Sequence, residues 1–238
     1  MRASVTLLAT PPLVGDLTRD GKPDAVAALR ASGGGSGSWT EFAVMSREPA
    51  GLVTKGTAHL TDRAQIRSLR LQGDTLVADV IEAGETDPSC CPGDLATHRW
   101  IMKGGKLEPV AHIRSGRLTS AVLVGTSWTL AEWNRDEPAP TGVPLQLVFT
   151  LNGARGQAGC NSFRGSFRGD DLGALTFGPL ASTRRACPPA QMEVETRFLK
   201  ALANVQSFGF SAGRLTLAVQ GTDGMAWMSF SPASEPTL

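Results

Sequence analysis

Two groups of side chains in this sequence have the types and spacing to do chemistry. The first is Asp16-Leu17-Thr18-Arg19-Asp20-Gly21-Lys22-Pro23-Asp24. Counting from Asp16, side-chain oxygens fall at positions one, three, five and nine (Asp16, Thr18, Asp20, Asp24), a glycine at six, and the position-seven backbone carbonyl belongs to Lys22. This is the ligand spacing of the first part of a calcium-binding loop. Thr18 stands where a stronger Asp or Asn ligand would serve, Arg19 adds a positive charge, and Ala27 at position twelve supplies no bidentate carboxylate. The competing reading is a tight turn whose carboxylates accept hydrogen bonds from the backbone. Any metal bound by the chain is expected to be calcium, held at this loop. The second group is cationic. In Ser162-Phe163-Arg164-Gly165 and its repeat Ser166-Phe167-Arg168-Gly169, strand alternation turns the phenylalanines to one face and the arginines to the other. With Arg184 and Arg185 nearby, Arg164 and Arg168 could bind a carboxylate, phosphate or anionic glycan, or simply form a solvated, edge-protecting strand.

Catalytic signatures are missing by contrast. The sequence has no G-x-S-x-G elbow, no H-E-x-x-H and no G-x-G-x-x-G leading from strand to helix. Its 3 histidines, His59, His98 and His112, are scattered. The expectation is that the protein is not an enzyme.

The elements that must position these groups are mostly strands. Leu145, Leu147, Phe149 and Leu151 share one face of a period-two run, and Asn152-Gly153 follows as a hairpin turn. Leu215, Leu217 and Val219 repeat the pattern, and after Thr222-Asp223-Gly224 the chain alternates again through Met228 and Phe230. Pro188 and Pro189 suit a helix start. Met192, Phe198, Leu199, Leu202 and Val205 then make an apolar stripe at helical spacing, with Glu193 four residues before Arg197 as a surface pair. The fold class is therefore α+β and β-rich: two antiparallel-sheet domains, residues 1–114 with the Asp-rich loop and residues 124–238 with one packed helix. The formal net charge of +1 offers no field for nucleic acid. No run approaches the roughly 20 apolar residues of a membrane span.

Gly159-Cys160-Asn161, then Ser162-x-x-Gly165-x-Phe167, a strand, Ala181-Ser182-Thr183-Arg184-Arg185-Ala186-Cys187-Pro188 and a Met/Glu-led helix stand in the order of the META domain family, which this half resembles from about Ser127 to Phe230. The resemblance implies a sheet with one helix, surroundings in the periplasm or cell envelope, and no shared catalytic reaction. The apolar run Ala3 to Ala9 is too short for a secretion signal, so either the protein is cytoplasmic or a leader is missing; the resemblance favours the second, with a lipid anchor in the full-length protein as one form of attachment. The Asp16–Asp24 segment resembles the Asp-rich repeats of secreted propeller and dockerin-like proteins. Together with a glycine-rich turn, Asp62-Arg63 and Asp87-Pro88-Ser89-Cys90-Cys91-Pro92, it also resembles the domain that often precedes META units in bacterial exported proteins, which carries no assignable activity.

The 4 cysteines fall as two pairs, one in each proposed domain. In an exported protein an even count points to disulfides, and three pairings are open. Pairing within domains joins Cys160 in the first block to Cys187 in the second, closing a loop worth about 3–4 kcal/mol in the chain-entropy model. Cys90 and Cys91 are adjacent. Neighbouring Cα atoms lie about 3.8 Å apart, below the usual disulfide range, so these two form either a strained vicinal bond or a pair of reduced thiols. The expected function is an exported, non-enzymatic stability or interaction module. A second reading is a protein that binds an anionic ligand or an envelope partner, with a calcium-stabilised first domain; a third is a thiol redox protein using Cys90 and Cys91.

Overall fold

The computed structural model describes residues 4–8, 12–33, 37–88, 91–134, 137–169, 171–222 and 224–233. Two compact units emerge: Met1–Arg117 with Ser211–Gly213, and Leu118–Phe210 with Arg214–Leu238.

Among its described residues the first unit holds nine strands: β1 (Ser4–Leu7), β2 (Leu13–Gly15), β3 (Asp24–Ser32), β4 (Trp39–Glu48), β5 (Gly51–His59), β6 (Gln65–Gln72), β7 (Thr75–Glu82), β8 (Asp94–Lys103) and β9 (Lys106–Arg117). They make two antiparallel sheets. One runs β1-β3-β4-β5, with β2 also paired to β3, and the other is the meander β6-β7-β8-β9. Each sheet turns an apolar face to a shared core: Val26, Phe42 and Val44 from the first, and Leu76, Ala78, Val80 and Trp100 from the second. Phe42 meets Trp100 edge to face with ring centroids 5.3 Å apart. Sheets pack in this way because alternation leaves each with one apolar face that must be covered.

The second unit adds β10 (Ser127–Trp133), β11 (Glu137–Pro138), β12 (Leu145–Thr150), β13 (Gly153–Ala158), β14 (Asn161–Gly165), β15 (Phe167–Arg168), β16 (Thr176–Phe177), β17 (Ala181–Ser182), the helix α1 (Pro189–Ala203), β18 (Val205–Ser211), β19 (Arg214–Gly221) and β20 (Gly224–Pro232). Its main sheet has the order β17-β14-β13-β12-β10-β20-β19-β18, with β11 on β10, while β15 and β16 form a separate pair. Leu145, Leu147 and Phe149 enter the core as their alternation predicts. The fourth residue of that run does not. Leu151 is 91% exposed because, with Asn152, it forms the two-residue hairpin loop. Gly153, at φ 127°, is already in β13 and pairs with Thr150. A side chain on Gly153 would strike the carbonyl of Gly165, 2.5 Å from the added Cβ, so glycine is required there for close approach as well as for conformation.

Helix α1 begins at a proline, where the missing N–H costs no hydrogen bond, and ends at Asn204. Val205 therefore belongs to β18 and not to the helical stripe. Phe198 is fully buried, and its ring lies 6.1 Å from Trp133, 5.9 Å from Phe163 and 6.3 Å from Phe230, which joins the helix to β10, β14 and β20. Arg197 pairs with Glu137 rather than with Glu193, and its guanidinium sits 4.3 Å above the Trp133 ring. The aromatic face and the fork-shaped carboxylate pairing hold Arg197 better than a helix-surface neighbour would. Truncating Phe198 to Ala should destabilise the second unit by about 3–5 kcal/mol in urea unfolding, the cost of a large buried cavity. Arg197→Ala should cost far less.

Candidate functional site

The two motif blocks of the second unit meet at one side chain. Asn161 opens β14 and is 1% exposed. Its amide nitrogen donates to both carboxylate oxygens of Glu195 in α1, at 3.2 and 2.9 Å, and to the carbonyl of Arg185 at 3.3 Å. Its oxygen accepts from the Arg185 amide at 2.8 Å and the Thr183 hydroxyl at 2.7 Å. One buried amide therefore fastens the sheet to the segment before the helix and to the helix itself. A disulfide joins Cys160 to Cys187 beside it, with Cα atoms 6.3 Å apart. These residues are engaged with the protein, and the arrangement is structural.

The face of the sheet that carries Arg164 is different. Arg155 on β13 and Arg164 on β14 stand directly opposite each other, and both are exposed. They line an open groove of about 620 Å³ together with Gln146, Gln157, Ser162 and Thr183. Among the described residues no carboxylate forms an ion pair with either arginine. Of the four arginines the sequence nominated, only Arg164 lines this groove. Arg168 lies on β15, in the separate two-stranded sheet. Arg184 and Arg185 are exposed on the segment before α1, where the Arg185 backbone is bonded to Asn161. Arg155 escaped the sequence reading because β13 alternates with glycine and alanine, which give little amphipathic signal; its pairing register across the hairpin would have revealed it.

In the first unit, the Asp-rich loop is closed by its own carboxylates. Asp16 accepts from the Asp20 and Gly21 amides at 3.1 and 3.0 Å, and Asp20 from the Lys22 amide at 2.9 Å. Asp24, 1% exposed, accepts from the Leu17 and Thr18 amides at 2.9 and 2.8 Å and from the Ser46 hydroxyl. Burial pushes the Asp24 carboxyl up, but the Ser46 hydroxyl and the two amides outweigh it and leave it below the usual carboxylate range. Asp16, Asp20 and Asp24 thus hold the turn through backbone donors and the Ser46 hydroxyl, as the tight-turn reading describes.

The trio that does converge among the described residues is Glu82, His98 and His112, whose ligand atoms lie within 4.8 Å of one another. In the connection between β7 and β8, Asp87 accepts from the Gly84 and Gly93 amides at 2.8 and 2.7 Å and from Arg117 at 2.5 Å, which holds the segment before β8. The Arg117 guanidinium, followed by the Gly84 amide, lowers the Asp87 carboxyl to about 2. Whether Cys90 and Cys91 form a vicinal bond or two thiols turns on Cys90, which lies outside the described residues.

Compared with known proteins, residues 121–231 match the META domain family. No curated protein matches the chain. An NMR structure of a protein from Burkholderia xenovorans is 23% identical to it, with a TM-score of 0.39, and the similarity covers 54% of this chain and 98% of that one. The META domain is not a known enzyme family.

Three outcomes follow from these contacts. Asn161→Ala leaves the Glu195 carboxylate buried without its donor and should cost about 1–3 kcal/mol, read as a lower urea midpoint. Asn161→Asp, nearly the same size, should cost more at pH 7 because it sets two carboxylates together, and the excess should shrink as acidification protonates one of them. Asp87 has a depressed folded-state pKa. Its stabilising contribution is therefore complete above the ordinary value of 3.8 and is lost as pH falls towards 2. Between pH 5 and pH 2, wild type should lose more stability than Asp87→Asn, as measured by thermal melts.

Proposed function

We propose that this chain is a non-enzymatic protein of the cell envelope whose META unit holds an anionic group of a partner on the outer face of its sheet. The observation that carries the reading is the Arg155–Arg164 pair. Like charges directly opposite one another weaken a sheet, and no carboxylate of the described residues pairs with these two. An anion lying between them relieves that repulsion and gains charge-assisted bonds from two planar guanidinium groups. Gln157 and Ser162, bonded to each other at 3.2 Å, line the same groove and add neutral hydrogen-bonding groups. Carboxylates and phosphates share this chemistry.

Placement in the envelope is supported by the Cys160–Cys187 disulfide, since such bonds persist in oxidising compartments. Among the described residues no helix is long and apolar enough to cross a membrane. The non-enzymatic reading is supported by the use of the most distinctive motif residues, Asn161, Thr183 and Glu195, in bonds that hold the fold.

The test is capture of partners from envelope extracts at low and moderate salt, comparing wild type, Arg155→Ala/Arg164→Ala and Arg168→Ala/Arg184→Ala. Both double variants remove the same charge. The groove variant should lose its acidic partners and the salt sensitivity of their capture, because exposed charges are screened within a Debye length of about 10 Å at 0.1 M salt. The control variant should retain them. Equal capture by all three proteins would reduce the groove to a solvated basic face.

A further inference from the structure

The first unit contains a constellation that the META match and the arginine groove leave unused. Glu82 ends β7, and its side chain is 4% exposed. His98 on β8 and His112 on β9 are direct cross-strand partners. The Nε2 atom of His98 lies 2.8 Å from Glu82 Oε2, and that of His112 lies 2.7 Å from Glu82 Oε1. The two imidazoles stack with centroids 4.3 Å apart and planes 20° from parallel, so both point the same nitrogen at one carboxylate. Trp100 stacks on His98 at 5.4 Å and 11°. The rings are thereby oriented before any ligand arrives.

We infer that Glu82, His98 and His112 form a binding site for a divalent transition-metal ion of the zinc class, with its fourth position open to solvent beside His112. Two imidazole nitrogens and one carboxylate oxygen are borderline ligands that suit zinc, whereas calcium and magnesium take shells of oxygen. In tetrahedral zinc sites with bonds of about 2.0–2.2 Å, neighbouring donor atoms stand about 3.3–3.5 Å apart. The nitrogen–oxygen separations of 2.8 and 2.7 Å, one to each carboxylate oxygen, open by about 0.6 Å on binding, and the three ligand atoms already lie within 4.8 Å of one another. His112, whose side chain is 45% exposed, has room to make that movement, while His98 is held by Trp100.

On binding, the ion takes the place of the hydrogens now held between the nitrogens and Glu82. Each imidazole coordinates through Nε2: a neutral ring then carries its one proton on Nδ1, and an imidazolium gives up its Nε2 proton to solvent. A buried carboxylate also needs a counter-charge. Arg114 supplies it partially, at 3.9 Å from Glu82, and being half-exposed it has a second partner in Asp94 at 3.7 Å to which it can swing.

The experiment uses the full chain without a histidine tag and with its Cys160–Cys187 disulfide intact. Zinc affinity is measured by competition with a chromophoric chelator, the melting temperature is followed with and without zinc, and cobalt replaces zinc for absorption spectroscopy. Wild type should bind one zinc, melt at a higher temperature with it, and show the visible absorption of four-coordinate cobalt. His112→Ala removes a half-exposed ring and should fold, yet bind zinc more weakly by about tenfold or more. Glu82→Gln should weaken binding as well. His59→Ala, on β5, should match wild type. No zinc-dependent rise in melting temperature, or wild-type affinity in His112→Ala, would overturn the site and leave a hydrogen-bonded histidine pair. Weakening by His59→Ala equal to that by His112→Ala would overturn it too.

Discussion

The second unit depends on the amide of Asn161. A short polar side chain at the start of β14 satisfies a buried carboxylate from the helix and both backbone groups of Arg185, three elements far apart in sequence. Every hydrogen-bonding site of that amide is used, which is the condition under which a buried polar group specifies a fold instead of weakening it. Asparagine alone offers a donor and an acceptor in this shape without charge. Aspartate would repel Glu195, and leucine would strand it. The neighbouring disulfide then ties the same two segments covalently, so one junction is held by complementary means.

The aromatic core is arranged around the junction. With Glu195 anchored on one turn of α1 and Phe198 three residues on, the helix presents its polar anchor and its largest apolar side chain to the same sheet. Polar bonds fix the position of the helix, and burial of Phe198 among Trp133, Phe163 and Phe230 supplies the greater part of its adhesion. Since the inner face is committed to this packing, the outer face of β12, β13 and β14 is left to carry charge.

The elements were legible from sequence wherever alternation was strong. Leu145, Leu147 and Phe149, and later Leu215 and Leu217, went inward as their spacing requires. The errors fall where one element passes into the next. Leu151 continues the apolar rhythm but belongs to a turn, and Val205 continues the helical stripe but begins a strand, because periodicity does not register the end of an element. Sites were harder than elements. Folding β8 onto β9 about Gly104-Gly105 and counting outward sets His98 opposite Ala111. A register shift between Arg99 and Trp100 advances the pairing by one residue and brings His98 to His112 instead. A bulge of that kind re-aims side chains and leaves no mark in residue types. In the β7–β8 register Glu82 faces Asp94 and His98 faces Ala78, so counting residues does not place the Glu82 carboxylate against the two rings.

Strand order in the second unit also dictates a sequence of events in time. β10, the first strand of its main sheet, lies between β12 and β20, and β20 is the last. Trp128 is paired with Pro232 and Trp133 with Met228, so the middle of the sheet joins the two ends of the unit. Until β20 arrives, β10 has one side of its backbone unpaired, and such an edge invites association with other chains. Non-local pairing of this kind is slow to form and exposes apolar surface while it waits. A ribosome or a translocation channel that releases this unit from its amino-terminal side therefore delivers a chain that cannot close its sheet until nearly all of the unit has emerged.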